Sequence, residues 1–248
     1  MKHLLSTCAI VTLAVLSNGL PVMAGEKSGK PTVVELFTSQ SCYSCPPAEA
    51  YLGELAKKKN LVALEFHVDY WDELVDGAAG KWKDVHSSPK YTERQRKYAA
   101  RLPDGQSYTP QMVVDGQAFA VGSNRRAVGA AIAKAKKAGH RRLTVAITGT
   151  PAAGLRIKID GDDDQNSAIW LVHYLKAVTT RVRAGENKGK SLTNHNIVTG
   201  MTRIGAWRGK PLSLDLAGPI LDPGQGCAVV VQSSGQGPIR GAAICPSG

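Results

Sequence analysis

Aromatic residues are scarce: three Phe, seven Tyr and four Trp make up 6% of the 248 residues. Base-stacking platforms for nucleic acid need aromatics interleaved with basic residues, and no such stretch or nucleic-acid motif occurs. Acidic residues are also in deficit, 20 against 31 Lys and Arg, for a formal charge of +11. That excess is spread along the chain, with runs no longer than Lys57-Lys58-Lys59 and residues 134–137. It therefore reads as a solvated basic surface rather than a patch built for an acidic partner. Beyond the N-terminus no apolar run reaches the roughly 18 residues of a membrane helix. Internal repeats and low-complexity tracts are absent. An apolar content of 43% nevertheless excludes a disordered chain and supports a real core.

The first residues carry a different signal. Met1-Lys2-His3 is a short basic head, residues 4–20 are mostly apolar, and Val22-Met23-Ala24 ends on small residues. This order is that of a secretory signal peptide, residues 1–24, cleaved after Ala24. A retained anchor is disfavoured because the apolar stretch is short and holds Ser17, Asn18 and Gly19; too little apolar sequence precedes Cys8 for a lipoprotein site. The expected location is periplasmic or secreted, with no stable membrane insertion after cleavage. Cleavage removes Lys2, leaving a charge of about +10, and Cys8. Four cysteines remain, 42, 45, 227 and 245, an even set suited to an oxidising compartment. Three pairings are formally open. The local one, Cys42–Cys45 with Cys227–Cys245, is favoured, because residues 228–231 and 239–244 can fold as a hairpin around Gly235-Gln236-Gly237.

Two textures divide the chain near residues 139–142. Residues 31–140 alternate strand and helix signals. Residues 31–37 and 61–70 read as strands, and 46–59 as a helix with Tyr51, Leu52, Leu55 and Ala56 on one stripe. Ser88-Pro89 opens a second helix, Asp115-Gly116 marks a tight hairpin between 111–114 and 117–121, and 125–138 is an Ala-rich helix. Residues 141–248 hold short runs split by Gly, Pro, Asp and Asn, at 143–148, 155–159, 168–178, 197–204, 212–216, 228–232 and 239–244. These suggest an antiparallel sheet or sandwich, with the GENKGK stretch (185–190) as a polar hairpin turn.

The chemistry concentrates at Cys42-Tyr43-Ser44-Cys45, between a strand and a helix. There a Cys-x-x-Cys pair works as a redox couple. Unpaired N–H groups at a helix start, with the helix dipole, favour a thiolate. Cys42 is expected as the exposed attacking thiol and Cys45 as the resolving one. Pro46-Pro47 places the helix start at Ser44 or Cys45. A purely structural disulfide is weighed against this, but so small a ring is a poor staple. Zinc would need two more ligands, with His67 and His86 the candidates and no second Cys-x-x-Cys present. Haem attachment is excluded because Pro46 follows Cys45. His67 shares a strand face with Glu65 and Asp69 and is a candidate proton relay. His173, His195, Trp170 and Trp207 read as structural.

Tyr108-Thr109-Pro110-Gln111 precedes a strand and the Asp115-Gly116 hairpin. The order strand, Cys-x-x-Cys, helix, strand, helix, Thr-Pro, hairpin, helix resembles the thioredoxin fold. That resemblance implies a cis Thr109–Pro110 bond facing the cysteines and a groove, with Thr109 and Pro110 as substrate-binding residues, for an extended polypeptide. It also nominates Glu35 as a buried proton-relay acid, although Glu35 stands seven residues before Cys42, one more than the thioredoxin spacing. Tyr43-Ser44 replaces the Gly-Pro of thioredoxin. The segments VVELFTSQSCYSCPPAEAYLGELA, EFHVDYWD, YTERQRKYA, YTPQMVVDG, GENKGKSLTNHNIV and GPIRGAA, spanning 31–243, resemble the secreted bacterial family catalogued as domain of unknown function 1223, assigned to the thioredoxin-like superfamily.

The expected fold is an α/β thioredoxin-like domain (31–140) followed by an all-β domain (141–248). The expected function is an exported thiol–disulfide oxidoreductase using Cys42 and Cys45, with Cys227–Cys245 a structural disulfide. No cofactor is implied; the expected partners are protein or peptide thiols and disulfides. Two rival readings are a redox-inert binding protein of the same fold and a copper(I) carrier using two thiolates.

Overall fold

A computed structural model describes residues 30–138, 143–218 and 220–247. The expected signal peptide (1–24), Cys8 and the expected boundary at 139–142 lie outside them.

Strand β1 (Thr32–Thr38), with its Val-Val and Leu-Phe pairs, is buried along its whole length. It pairs in parallel with the equally buried β2 (Leu61–His67), as near-continuous apolar strands do when both faces are covered. Between them runs α1 (Pro46–Ala56). A small ribbon follows, β3 (Val75–Asp76) with β4 (Gly80–Lys81). Helix α2 (Pro89–Arg101) starts at Ser88, whose side chain accepts from the Lys90 amide, with Pro89 in the first turn. Strands β5 (Gln111–Val114) and β6 (Ala118–Val121) form the hairpin. Asp115 and Gly116 both have φ near +50 to +60°, which Gly tolerates and Asp accepts better than most residues. Helix α3 (Arg125–Lys137) begins at Asn124, whose side chain accepts from the Ala127 amide.

Among its described residues the second half is built of strands with one short 3-10 turn at Ser234–Gln236, as its Gly- and Pro-punctuated runs imply. It contributes β7 (Thr144–Thr150), β8 (Gly154–Asp160), β9 (Ser167–Arg181), β10 (Ser191–Trp207), β11 (Leu212–Ala217), β12 (Gln225–Ser233) and β13 (Ile239–Ile244). Their arrangement overturns the expected fold class, an α/β thioredoxin-like domain followed by an all-β domain. Strands from both halves make one mixed eight-stranded sheet, ordered β13-β12-β9-β10-β2-β1-β5-β6, and the described chain is mostly strand with three α-helices. The physical reason is β2. Its outer edge is occupied by β10, which runs parallel to it and meets it at Ile197 opposite Glu65. Strands of 15 and 17 residues in β9 and β10 are long enough both to continue this sheet and to pair with each other over their length.

Strand alternation sorts side chains to the two faces. On one face Val33, Phe37, Phe66, Val172, Val198 and Val230 pack against Tyr91 and Tyr98 of α2. On the other, Val34, Leu36 and Ala63 pack under α1 and α3. Further along that second face, Ile169, Leu171, Val229 and Val231 are covered by the three-stranded sheet β11-β8-β7 through Leu155, Ile157 and Ile159. Strands β12 and β13 form the anticipated hairpin, with Gly235 at φ +68° in the turn. Cys227 and Cys245 are disulfide-linked across its open end, Cα atoms 5.3 Å apart, within the range a bridge requires.

Candidate functional site: a disulfide loop over buried acids

Cys42 and Cys45 are disulfide-bonded, Cα atoms 5.4 Å apart, just after β1 and at the start of α1. Cys45 is the N-cap, and Pro46 and Pro47 fill the first two helical positions. Neither proline has an N–H. The first free amides, of Ala48 and Glu49, both donate to the Cys45 carbonyl at 2.9 and 3.1 Å. The helix start therefore offers a thiolate few backbone donors, fewer than the motif suggests, leaving the dipole and the Ser44 hydroxyl, 3.5 Å from Cys42 Sγ.

Contrary to the expectation of an exposed Cys42, both cysteines are 0% exposed. The cause lies 140 residues downstream, in the turn joining β9 to β10. Asn187, itself fully buried, donates to the carbonyls of Gln40 and Cys42, both at 2.9 Å. Glu186 accepts the Tyr43 amide at 2.7 Å. Lys190 donates to the Asn187 side-chain oxygen at 2.8 Å and stands 4.5 Å from the centre of the Tyr43 ring. Tyr43, 67% accessible, and Ser44 are the exposed residues of the loop. Sequence reasoning identified this turn only as a turn. Its signal is weak: a polar hairpin tip gives no hint that it is clamped to a distant loop.

Beneath the loop lie four fully buried ionisable groups. His67 Nδ1 contacts Asp84 Oδ2 at 2.6 Å, and its Nε2 stands 3.3 Å from Glu65 Oε1, an ion-pair contact rather than an aligned hydrogen bond. Burial disfavours the imidazolium, but Asp84 and then Glu65 outweigh it and hold the His67 pKa well above the ordinary value. Burial likewise opposes the Asp84 carboxylate. His67 and the amides of Gln40 and His86 reverse that and lower its pKa. Glu65 also accepts from Asn194 Nδ2 (2.6 Å) and the His195 amide (2.9 Å) of β10. The fourth group, Glu49, stands one turn after Cys45 and accepts from Thr38 Oγ1 at 2.8 Å. Burial, with Glu65 adding to it, raises its pKa from 4.5 to about 8, so it is mostly protonated at neutral pH. Glu49 and Asp84 were missed from sequence. Glu49 had a legible signal, an acid one position from Ala48 and three from Leu52 on the apolar side of α1; Asp84 had none.

The other expected residues divide. The Thr109–Pro110 bond is cis. Thr109 Oγ1 accepts from Trp71 Nε1 at 2.7 Å. The Pro110 carbonyl accepts from the Gly122 amide, and a Cβ on Gly122 would stand 2.9 Å from that of Ala48, which ties this loop to the first turn of α1. Asp69 does not join Glu65 and His67; it accepts from Thr92 on α2. Glu35 is not brought to the cysteines either. It faces α2, where Arg94 Nε (2.7 Å) and Tyr98 OH (2.5 Å) occupy its carboxylate, and Arg94 also bonds Gln232. Strand alternation explains this, since Glu35 shares the face of Val33 and Phe37. The zinc candidates His67 and His86 stack edge-to-face at 5.4 Å. Among the described residues no cluster of three or more His, Cys, Asp or Glu is arranged to hold a metal ion, and no helix is long and apolar enough to cross a membrane.

A family model, "Protein of unknown function (DUF1223)", matches residues 33–232, which takes in the disulfide loop, the buried acids and the clamping turn. The chain belongs to the DUF1223 family. An X-ray crystal structure of an Agrobacterium tumefaciens protein is similar to this DUF1223 chain, with 28% identity, a TM-score of 0.73, and 90% of this chain and 96% of that chain covered. No curated protein matches this DUF1223 chain.

Proposed function

We propose that this chain is an exported thiol–disulfide exchange protein acting through Cys42 and Cys45. The observation that supports it is the setting of that disulfide. Gln40, two residues before it, is held by Asp84, and Glu49, one turn after it, is a buried acid that keeps its proton near neutral pH. A disulfide kept only as a staple closes too small a ring to stabilise much and has no use for titratable groups beneath it.

In the oxidised form, release of the Asn187 clamp opens the Cys42 sulfur to a substrate thiolate, which attacks it, forms a mixed disulfide and expels the Cys45 thiolate. A second substrate thiolate then attacks the substrate sulfur of the mixed disulfide, releasing Cys42 as thiolate and the substrate as a disulfide. Two electrons pass from substrate to protein, and the two thiolates take up protons; Glu49 is the nearest buried acid to Cys45 along the helix. The reverse sequence reduces a substrate disulfide. Thr109 and Pro110, tied to the first turn of α1, form the rim against which a substrate chain would lie.

The test is turnover of a small aromatic disulfide by the full chain after mild reduction, with alkylation followed by mass spectrometry. Cys42 should be alkylated before Cys45, Cys42→Ser should abolish turnover, and Cys45→Ser should accumulate a mixed disulfide on Cys42. Absence of turnover together with equal labelling of both thiols would refute the reading.

A further inference from the structure

A cleft of about 1000 Å³ opens between α2, the start of β9, the middle of β10 and the turn after β12. No residue of the disulfide loop lines it, so it is a separate feature and owes nothing to the thiol reading. Its volume lies at the upper end of the range for small-molecule sites. The floor is apolar, formed by Tyr91, Trp170, Val198 and Met201.

The α2 wall carries Lys90, Arg94 and Lys97 against one acid, Glu93, and is net cationic. Lys90 and Lys97 lie two turns apart on the exposed side of α2 and both line the cleft. Lys97 is 3.4 Å from Glu93, whereas Lys90 has no carboxylate partner among the described residues. Arg94, between them, is committed to Glu35 and Gln232. At one end His86 is fixed by its edge contact with His67 and by its amide on Asp84, yet its Nε2 is buried without a partner. Burial, and then the positive His67, hold its pKa below the usual range, so the ring is neutral and carries one unfilled hydrogen-bonding position.

Strands β9 and β12 are paired on both sides where they line the cleft, so neither offers an edge to an extended peptide. The geometry points to a binding site for a small organic anion with an apolar body, a carboxylate on a medium-length aliphatic chain. The carboxylate pairs with Lys90, and the chain covers Trp170 and Met201.

The experiment is calorimetric titration of the full chain, disulfides intact, with decanoate, decylammonium and decanol below their micelle concentrations, with tryptophan fluorescence in parallel. Decanoate should bind saturably at one site, roughly tenfold or more tighter than the other two, which corresponds to one well-placed charge pair. Lys90→Glu with Lys97→Glu should weaken decanoate at least about tenfold without changing circular dichroism, and Lys90→Gln should weaken it several-fold. Trp170→Phe should keep the binding heat and lose most of the fluorescence change. Equal binding of all three probes, indifference to charge reversal, or binding of an acidic peptide but not of decanoate would overturn the assignment.

Discussion

Replacing Glu49 by Gln should make the protein more stable, and increasingly so as pH rises. Gln keeps the oxygen that accepts from Thr38 and removes only the ionisation. Glu49 titrates at about 8 in the folded protein against 4.5 for an unperturbed glutamate. The folded state thus holds a proton that the unfolded chain has released, so stability must fall as pH rises from 4.5 to about 8 and then level off. Integrating that difference, the wild-type side chain costs about 1 kcal/mol at pH 5, about 3 at pH 7 and about 5 at pH 9. Glu65, His67 and Asp84, which face it, are present in both proteins and cancel to first order. Urea unfolding of wild type and Glu49→Gln at pH 5, 7 and 9, both oxidised, measures the difference directly. A gain that is flat with pH, or a loss at every pH, would refute a buried neutral Glu49 and with it the proton source in the exchange scheme.

Asn187→Ala removes the donor from two buried carbonyls, at a cost of about 1–3 kcal/mol, and should speed reduction of Cys42–Cys45 by dithiothreitol roughly tenfold; an unchanged rate of thiol release would place control of access elsewhere. Cys227→Ala with Cys245→Ala opens a loop of 18-residue separation and should cost about 3 kcal/mol, read from the urea midpoint; a shift under about 1 kcal/mol would mean the β12–β13 hairpin holds without it. Arg94→Met strands the buried Glu35 and should cost about 3–5 kcal/mol, most of it recovered by adding Glu35→Leu; additive losses in the double mutant would contradict a paired charge.

Local signals in the sequence located most elements. The 2- and 3.6-residue periodicities placed α1, α2, α3 and the strand runs, Asp115-Gly116 fixed its hairpin, and the cysteine spacing gave both bridges. What could not be read was which distant segments pair. Nothing in residues 61–67 says that one edge of β2 will be met by β10, because a strand's partner is set by tertiary packing and not by its own pattern. The same gap hid the site. Asn187 and Asp84 act on the disulfide loop from 145 and 44 residues away in sequence, through isolated hydrogen bonds that leave no periodicity. Glu35 was assigned by analogy to the cysteines; alternation along β1 turns it to the opposite face, where Arg94 holds it.

The β9–β10 ribbon touches the disulfide loop at its tip, through Glu186, Asn187 and Lys190, and floors the cleft near its base, through Trp170 and Met201. About 11 residues of extended chain separate the two, roughly 35 Å. Along that length the register shifts once, between Val198 and Gly200. The ribbon thus places both features on one continuous pair of strands. If occupancy of the cleft changes the redox equilibrium constant of the loop by some factor, then oxidation or reduction of the loop must change affinity in the cleft by the same factor. Measuring either quantity therefore determines the other.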